Sequence, residues 1–429
     1  MKYNLDDKPK AGPLLLYALQ WWVVIIPSVI TIGLVVGKFH FGADQAAQVL
    51  YMQKLFLVLG LTMLVQAVAG HRLPLVSGPA SVLLIGIVAS SSASMPAIYT
   101  AIMAGGILLA SISALGLMKH MHKVFTTRVV VVIMFLIPIT LGPTIVKLIF
   151  GNAEPVLFNL LFATGFGISL LAANNLLRGV WKSATPVIGI VAATLLHRLC
   201  FPAAAAEPAP LPSGTENILP GLAFEPGVMI SFLCCAVALM INEVGSIEAV
   251  GQILSADKME GRTRRGMIVT GLGNIFSGAV GVIGPIDYSS SPGIIASTGC
   301  ASRFPFIPAA IMLAACAFVP QFVRGLLAIP DLVMGTILLY VMISQFSAGF
   351  RMAVDSRAIA GFNDGAAIGI SLMVALLVSF IPAELAAQMP ALIRPITGNG
   401  FVMGVITILL MEHVVYRGRK ESPPTGTSS

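Results

Sequence analysis

Long apolar stretches separated by short polar connections run along almost the whole chain, and the first, from about Leu14 to Val36, carries no charged residue. A bilayer-spanning helix needs about 20 such residues. The pattern predicts apolar segments near 12–37, 48–69, 73–89, 96–118, 129–150, 155–177, 184–200, 225–250, 267–284, 285–302, 305–327, 328–349, 365–382 and 397–415. These runs are too long for the dyad-patterned, ~10-residue strands of an outer-membrane barrel. The first is also too long for a signal peptide and has no small-residue cleavage site after it. The expected fold class is an all-α polytopic membrane protein of fourteen segments.

Composition sharpens this. Of 429 residues, 57% are hydrophobic and 10% charged, with a mean hydropathy of +0.94. Soluble domains carry about 25% charged residues, so a cytosolic enzyme, a disordered regulator and a secreted disulfide scaffold are all excluded. The net charge of +7 would suggest nucleic acid until the charges are placed. On the alternating ladder, 19 of the 25 Lys and Arg fall on the side holding both termini, leaving Lys38, Lys54, Lys147, Arg198, Arg324 and Arg394 on the other. The positive-inside rule then puts both termini in the cytoplasm, in a cell inner (plasma) membrane protein. The expected surroundings are a lipid bilayer and no nucleic acid. Cys200, Cys234, Cys235, Cys300 and Cys316 form no C-x-x-C pair and read as packing residues. His120 and His122 lack a third ligand, so no metal is expected. With no phosphate-binding loop and no nucleophile–base cluster, neither a cofactor nor an enzyme is expected.

The connection Phe201–Gly221, rich in Pro and Ala, divides the chain. The expected organisation is a first seven-segment repeat over 1–200, an extracytoplasmic linker over 201–224, a second repeat over 225–415 and a cytoplasmic tail over 416–429. Seven is odd, so the second repeat enters the membrane inverted. An internal echo supports the division: Pro74-Leu-Val-Ser-Gly-Pro-Ala-Ser81 in the first half, Gly284-Pro-Ile-Asp-Tyr-Ser-Ser-Ser-Pro-Gly293 in the second. In each, a short extended piece is expected to lead to a Pro in the first turn of an apolar helix. Two readings fit: ordinary Pro-kinked helices, or paired broken segments that form a transporter's binding site.

Charge inside a bilayer is costly and rarely idle, which singles out Glu243, Glu248 and Asp287. Five residues apart on a helix, Glu243 and Glu248 point about 140° from one another, while Asn242 and Ser246 share a face. One of the glutamates is a candidate for proton exchange; the alternative is an internal ion pair or a carboxyl bonded to backbone. Ser289, Ser290 and Ser291 precede a helix start, where they either contact a ligand or cap the helix. Gln20 lies inside the first apolar run and needs a partner; the adjoining Trp21 and Trp22 read as an interfacial anchor. Gly271, Gly273, Gly278, Gly281 and Gly284 read as close helix packing.

These residues resemble the nucleobase–cation symporter-2, or nucleobase–ascorbate transporter, family of uracil and xanthine permeases. The resemblance spans nearly the whole chain and is similar above all to a divergent purine-permease branch, which shares the Gln-Trp start and the Ser-rich tenth segment. Of the family signature in segment ten, Gly293, Thr298 and Gly299 are kept, while Ser290 and Ser291 replace an acidic-or-amide residue and an Asn. Asn242 stands where the family has a substrate-binding Glu, with Gly245 retained and Ser246 at a polar site position; Gln20-Trp21 stands for Gln-His; Ser81 falls where uracil permeases place an aromatic residue. The resemblance implies two inverted seven-helix repeats, a core domain that carries substrate past a gate domain, short antiparallel strands and half-helices in segments three and ten, and a possible homodimer. It implies secondary active import of a purine or pyrimidine base of the xanthine/uracil class with a proton. Ser81, Asn242, Ser246, Ser289, Ser290, Ser291 and Gln20 are the expected substrate residues, with Glu243 carrying the proton and Glu248 in reserve. The alternative on the same scaffold is an uncoupled small-anion exchanger or channel.

Overall fold

The computed structural model describes residues 2–118, 124–177, 179–202, 219–288, 291, 294–295, 299–386, 388–390 and 393–416. The apolar runs fold as helices because no other open structure satisfies every backbone group away from water. They are α1 (Ala11–Phe41), α2 (Gln45–Val68), α3 (Ser81–Ala89), α4 (Met95–Ala114), α5 (Thr127–Thr140), α6 (Gly142–Phe150), α7 (Val156–Leu176), α8 (Gly179–Cys200), α9 (Pro226–Ile253) and α10 (Met259–Val280). After the tenth segment come α11 (Phe306–Ala315), α12 (Pro320–Leu327), α13 (Asp331–Asp355), α14 (Phe362–Ser379) and α15 (Gly400–Leu410), the last running on into a π-helical turn over Met411–Val415. Helix starts follow local chemistry: Asp44 accepts from the Ala47 N–H at 3.0 Å, and Ser94 caps α4 with Pro96 in its first turn.

Among the described residues, eight helices are long and apolar enough to cross a membrane, or nine if Phe306–Phe318 and Pro320–Leu327, bent by 80°, form one broken span. The fourteen-segment count therefore does not follow from length and composition. The segment expected at 267–284 also differs, since α10 starts at Met259 and takes in Arg262, Arg264 and Arg265. The Arg262 guanidinium makes this basic turn part of the fold: it donates to Asp257, to the His71 carbonyl at 3.1 Å and to the Arg72 carbonyl at 3.2 Å.

Segments three and ten are broken. Strand β1 (Ser77–Pro79) pairs antiparallel with β2 (Pro285–Asp287), matching Ser77 to Asp287, Gly78 to Ile286 and Pro79 to Pro285. Antiparallel ladders alternate hydrogen-bonded and open pairs. The Tyr288 N–H reaches the Val76 carbonyl at 2.8 Å and the Ala80 N–H the Gly284 carbonyl at 2.9 Å. By that alternation, Pro79 and Pro285 face each other at an open pair, where neither needs an N–H. Asp287 sits at the other open pair, so its N–H points out of the ladder. Pro79 was expected in the first helical turn; it is instead the last strand residue, Ala80 is the N-cap, and α3 begins at Ser81. Pro292, its expected counterpart, lies outside the described residues.

The helices form two groups. Helices α2, α4, α9, α10 and α11 pack around the strand crossing; α5, α6, α7, α13, α14 and α15 pack on one another; α1 touches α2 in the first group and α8 beside the second. Helices α4 and α10 approach closely, so that a Cβ on Gly106 would sit 2.6 Å from the Gly271 carbonyl oxygen. This is the small-residue packing expected of the glycines in that helix.

Candidate functional site

Where α3 begins beside the crossing, a cavity of about 210 Å³ opens between the two helix groups. Its size is below the ~300–1,000 Å³ usual for drug-sized ligands, which suits one small planar molecule. One wall is Ser81 at the start of α3, with Asn242 of α9 and Tyr288 after β2; Ser28 and Thr31 of α1 add hydroxyls; Ser344 and Gln345 of α13 close it from the second group. No Lys, Arg, His, Asp or Glu lines it among the described residues. The first N–H groups of α3 have no acceptor within the helix, so they present partial positive charge there.

Several lining hydroxyls are already committed. Tyr288 donates to the Pro79 carbonyl at 2.8 Å, its ring lying so close over Gly78 that a Cβ there would be 2.6 Å from the phenol oxygen. Ser28 donates to the Ile25 carbonyl at 2.8 Å and Ser344 to the Tyr340 carbonyl at 3.3 Å.

Behind the crossing lies a second, closed set of polar groups. The Glu243 carboxylate is fully buried, and accepts from the Thr270 hydroxyl at 2.7 Å and from the Asp287 N–H at 2.7 Å. That N–H is one the ladder leaves open. Thr270 in turn accepts from the Gln66 amide at 2.9 Å. The Asp287 carboxylate accepts from the Ser77 hydroxyl and lies 3.0 Å from His71 Nε2. His71 Nδ1 accepts the Leu73 N–H at 2.8 Å, which assigns the ring proton to Nε2, facing Asp287. The turn holding His71 places Arg72 at φ 56°, strained for a residue with a Cβ, and Arg262 clamps it through two carbonyls.

Of the residues singled out from sequence, Ser81 and Asn242 line the cavity. Ser246 does not: it is fully buried and its hydroxyl donates back to the Asn242 carbonyl at 2.9 Å. Ser291 is also buried, accepting the Val76 N–H at 3.0 Å and so bracing the crossing. Gln20 lies eight residues before Ser28 on α1, about 12 Å along the axis, buried with its amide nitrogen unpartnered. Ser289 and Ser290 fall outside the described residues. Glu243 and Glu248 lie on different sides of α9: the first is buried behind the cavity, while the second lines a separate cavity of about 290 Å³ with Met240, Gly245 and Met352. Trp21 is no interfacial anchor, being buried 4.4 Å from the Phe306 ring.

Sequence reasoning passed over His71, Thr270, Gln66, Thr31 and Gln345. His71 adjoins Arg72 at the end of an apolar run, where a polar residue excites no notice. Gln345, a lone amide in the apolar stretch of α13, carried a legible signal.

Comparison with known proteins agrees with this architecture. A protein of Clostridium perfringens named "Putative purine permease CPE0397" is 25% identical over 435 residues, covering 98% of this chain and 93% of its own. The uric acid permease PucJ of Bacillus subtilis is 22% identical, covering 92% and 90%. In fold, the transmembrane domain of the cyanobacterial bicarbonate transporter BicA aligns with a TM-score of 0.59 at 18% identity, over 85% of this chain and 95% of that one. The model of the Permease family matches residues 12–384. The chain therefore belongs to this family of multi-pass membrane permeases, the nucleobase–ascorbate transporter group, whose members are transporters and not enzymes.

Proposed function

We propose that the chain imports a purine or pyrimidine base across the plasma membrane and that the cavity beside α3 is where the base sits. The observation that carries this is the cavity's chemistry: small, flanked by apolar side chains, uncharged, and furnished with amide and hydroxyl groups that can meet a heterocycle's edge. The names of the relatives, purine and uric acid permeases, favour the same class. Ser81 and Asn242 contact the base, and Ser289 and Ser290, which lie outside the described residues, are proposed as further contacts from the sequence alone. The two helix groups, contributed by repeats over 1–200 and 225–415, move relative to one another so that the cavity opens to each side in turn. Both termini face the cytoplasm.

Glu243 carries the proton. It adjoins Asn242 in sequence, and its carboxylate holds the backbone of Asp287, one residue from Tyr288. A change of charge on Glu243 thus reaches the cavity wall through one peptide unit. One proton crossing 100 mV supplies about 2.3 kcal/mol, roughly fiftyfold accumulation.

The site assignment is tested by filling the cavity. Ser81→Trp should abolish uptake of labelled base in proteoliposomes while the purified variant keeps its helical circular-dichroism spectrum. Unimpaired uptake would place the base elsewhere. A second reading, small-anion transport, draws on the likeness in fold to a bicarbonate transporter and on the α3 N-terminus. The absence of any cationic side chain among the described lining residues weighs against it.

A further inference from the structure

We infer that Gln345 is a substrate-reading residue, which with Asn242 grips the lactam edge of the base from opposite helix groups and so admits the uncharged form. This rests on the cavity being the base's site. Gln345 belongs to α13 and Asn242 to α9, and both line the same space. Neither side-chain amide has a hydrogen-bond partner among the described residues, and both are part-buried. Both amides are therefore open to the polar edge of a ligand that enters the cavity.

The other lining groups narrow what that partner is. The hydroxyl protons of Ser28, Tyr288 and Ser344 are directed at backbone carbonyls. Among the described lining residues, the directional donors left for a ligand are the two amides, with the hydroxyls of Thr31 and Ser81. Each amide offers a carbonyl acceptor and an NH2 donor in one plane. That pairing matches an –NH–C=O unit, which oxopurines and oxopyrimidines carry on their ring edge. Two such amides read the edge at two positions, one from each side of the moving boundary, so Gln345 engages only when the groups are in register around the base.

The same lining disfavours an anion. A charge transferred there would be desolvated with no cationic side chain to meet it. The nearby titratable groups, Glu243 and Asp287, are carboxyls rather than cations and lie behind the crossing. The α3 N-terminus supplies partial positive charge suited to a carbonyl oxygen.

Uptake kinetics of the full chain in proteoliposomes test this with two bases, xanthine, whose ring loses a proton near neutrality, and hypoxanthine, whose ring keeps it well into alkali. As the external medium goes from mildly acidic to mildly alkaline, the KM of xanthine should rise relative to that of hypoxanthine, because the neutral fraction falls for xanthine alone. A flat or falling ratio overturns the claim that the neutral form is carried. Gln345→Leu should raise KM about tenfold, the loss expected for a directional hydrogen bond or two, with kcat less affected, and should narrow discrimination between the two bases. Gln345→Asn should restore part of the discrimination. Unchanged KM and selectivity in Gln345→Leu overturn the role of Gln345. Wild-type protein that carries neither these bases nor any other would overturn the proposed function itself, a result distinct from either of those.

Discussion

The carboxylate of Glu243 accepts the backbone N–H of Asp287 at 2.7 Å, tying helix α9 to strand β2 at the one β2 position whose N–H the ladder leaves free. The bond spans 44 residues of sequence and joins the two elements that contribute Asn242 and Tyr288 to the cavity. A buried carboxylate placed there is neither a cap nor a surface group. It is a structural pin between the helix and the strand.

Glu243→Gln should therefore separate structure from coupling. Its amide oxygen can still accept the Asp287 N–H, so the protein should fold. Proton-gradient-driven accumulation of base should be lost, while exchange of internal for external base persists. Counterflow and gradient-driven uptake, measured on one preparation, check this; intact accumulation would remove Glu243 from the proton's path.

Glu248→Gln is the contrasting variant. Glu248 is exposed and lines the separate cavity beside Met240 and Met352. Accumulation should stay within about twofold of wild type, the range of a residue that touches neither substrate nor the coupling group. A collapse of accumulation in the same assay would transfer the proton's role to Glu248.

His71→Ala removes the acceptor of the Leu73 N–H and leaves the buried Asp287 carboxylate without its imidazole neighbour. The expected cost is about 1–3 kcal/mol, seen as a lowered Tm in detergent. His71→Gln, able to restore one of the two contacts, should lose less. Equal Tm for all three proteins would mean that the pair contributes nothing.

Gly106→Val tests the helix contact that backs the site. Its side chain would drive into the Gly271 carbonyl and the Ile275 backbone of α10, where overpacking costs about 1–3 kcal/mol. The expected reading is a lower Tm and reduced yield of folded protein, whereas Gly165→Val, where nothing stands within 4 Å, should behave as wild type.

Much of this was legible from the chain. Apolar runs placed the helices, and the paired Ser–Gly–Pro and Ser–Pro–Gly turns marked the two broken segments. Glu243 and Asp287 stood out as carboxylates in apolar surroundings. What sequence could not give was direction at short range. Ser246 shares a helix face with Asn242, yet its hydroxyl bonds back to the carbonyl four residues earlier, as serines in apolar helices do. Gln20 lies in the same helix as Ser28 and Thr31 but two turns away from the cavity. His71 acquires its place only through the crossing, since the strand register sets Asp287 opposite Ser77 and so beside the imidazole. Register between strands two hundred residues apart has no local signal.

The most direct measurement of the central claim is uptake by purified protein in proteoliposomes, offered labelled xanthine, hypoxanthine, guanine, adenine, urate and uracil with and without an inward proton gradient. The account predicts saturable uptake of at least one base, accumulated against its gradient only when the proton gradient is present. Folded protein that moves no base under either condition, but conducts or exchanges chloride or bicarbonate, would contradict it.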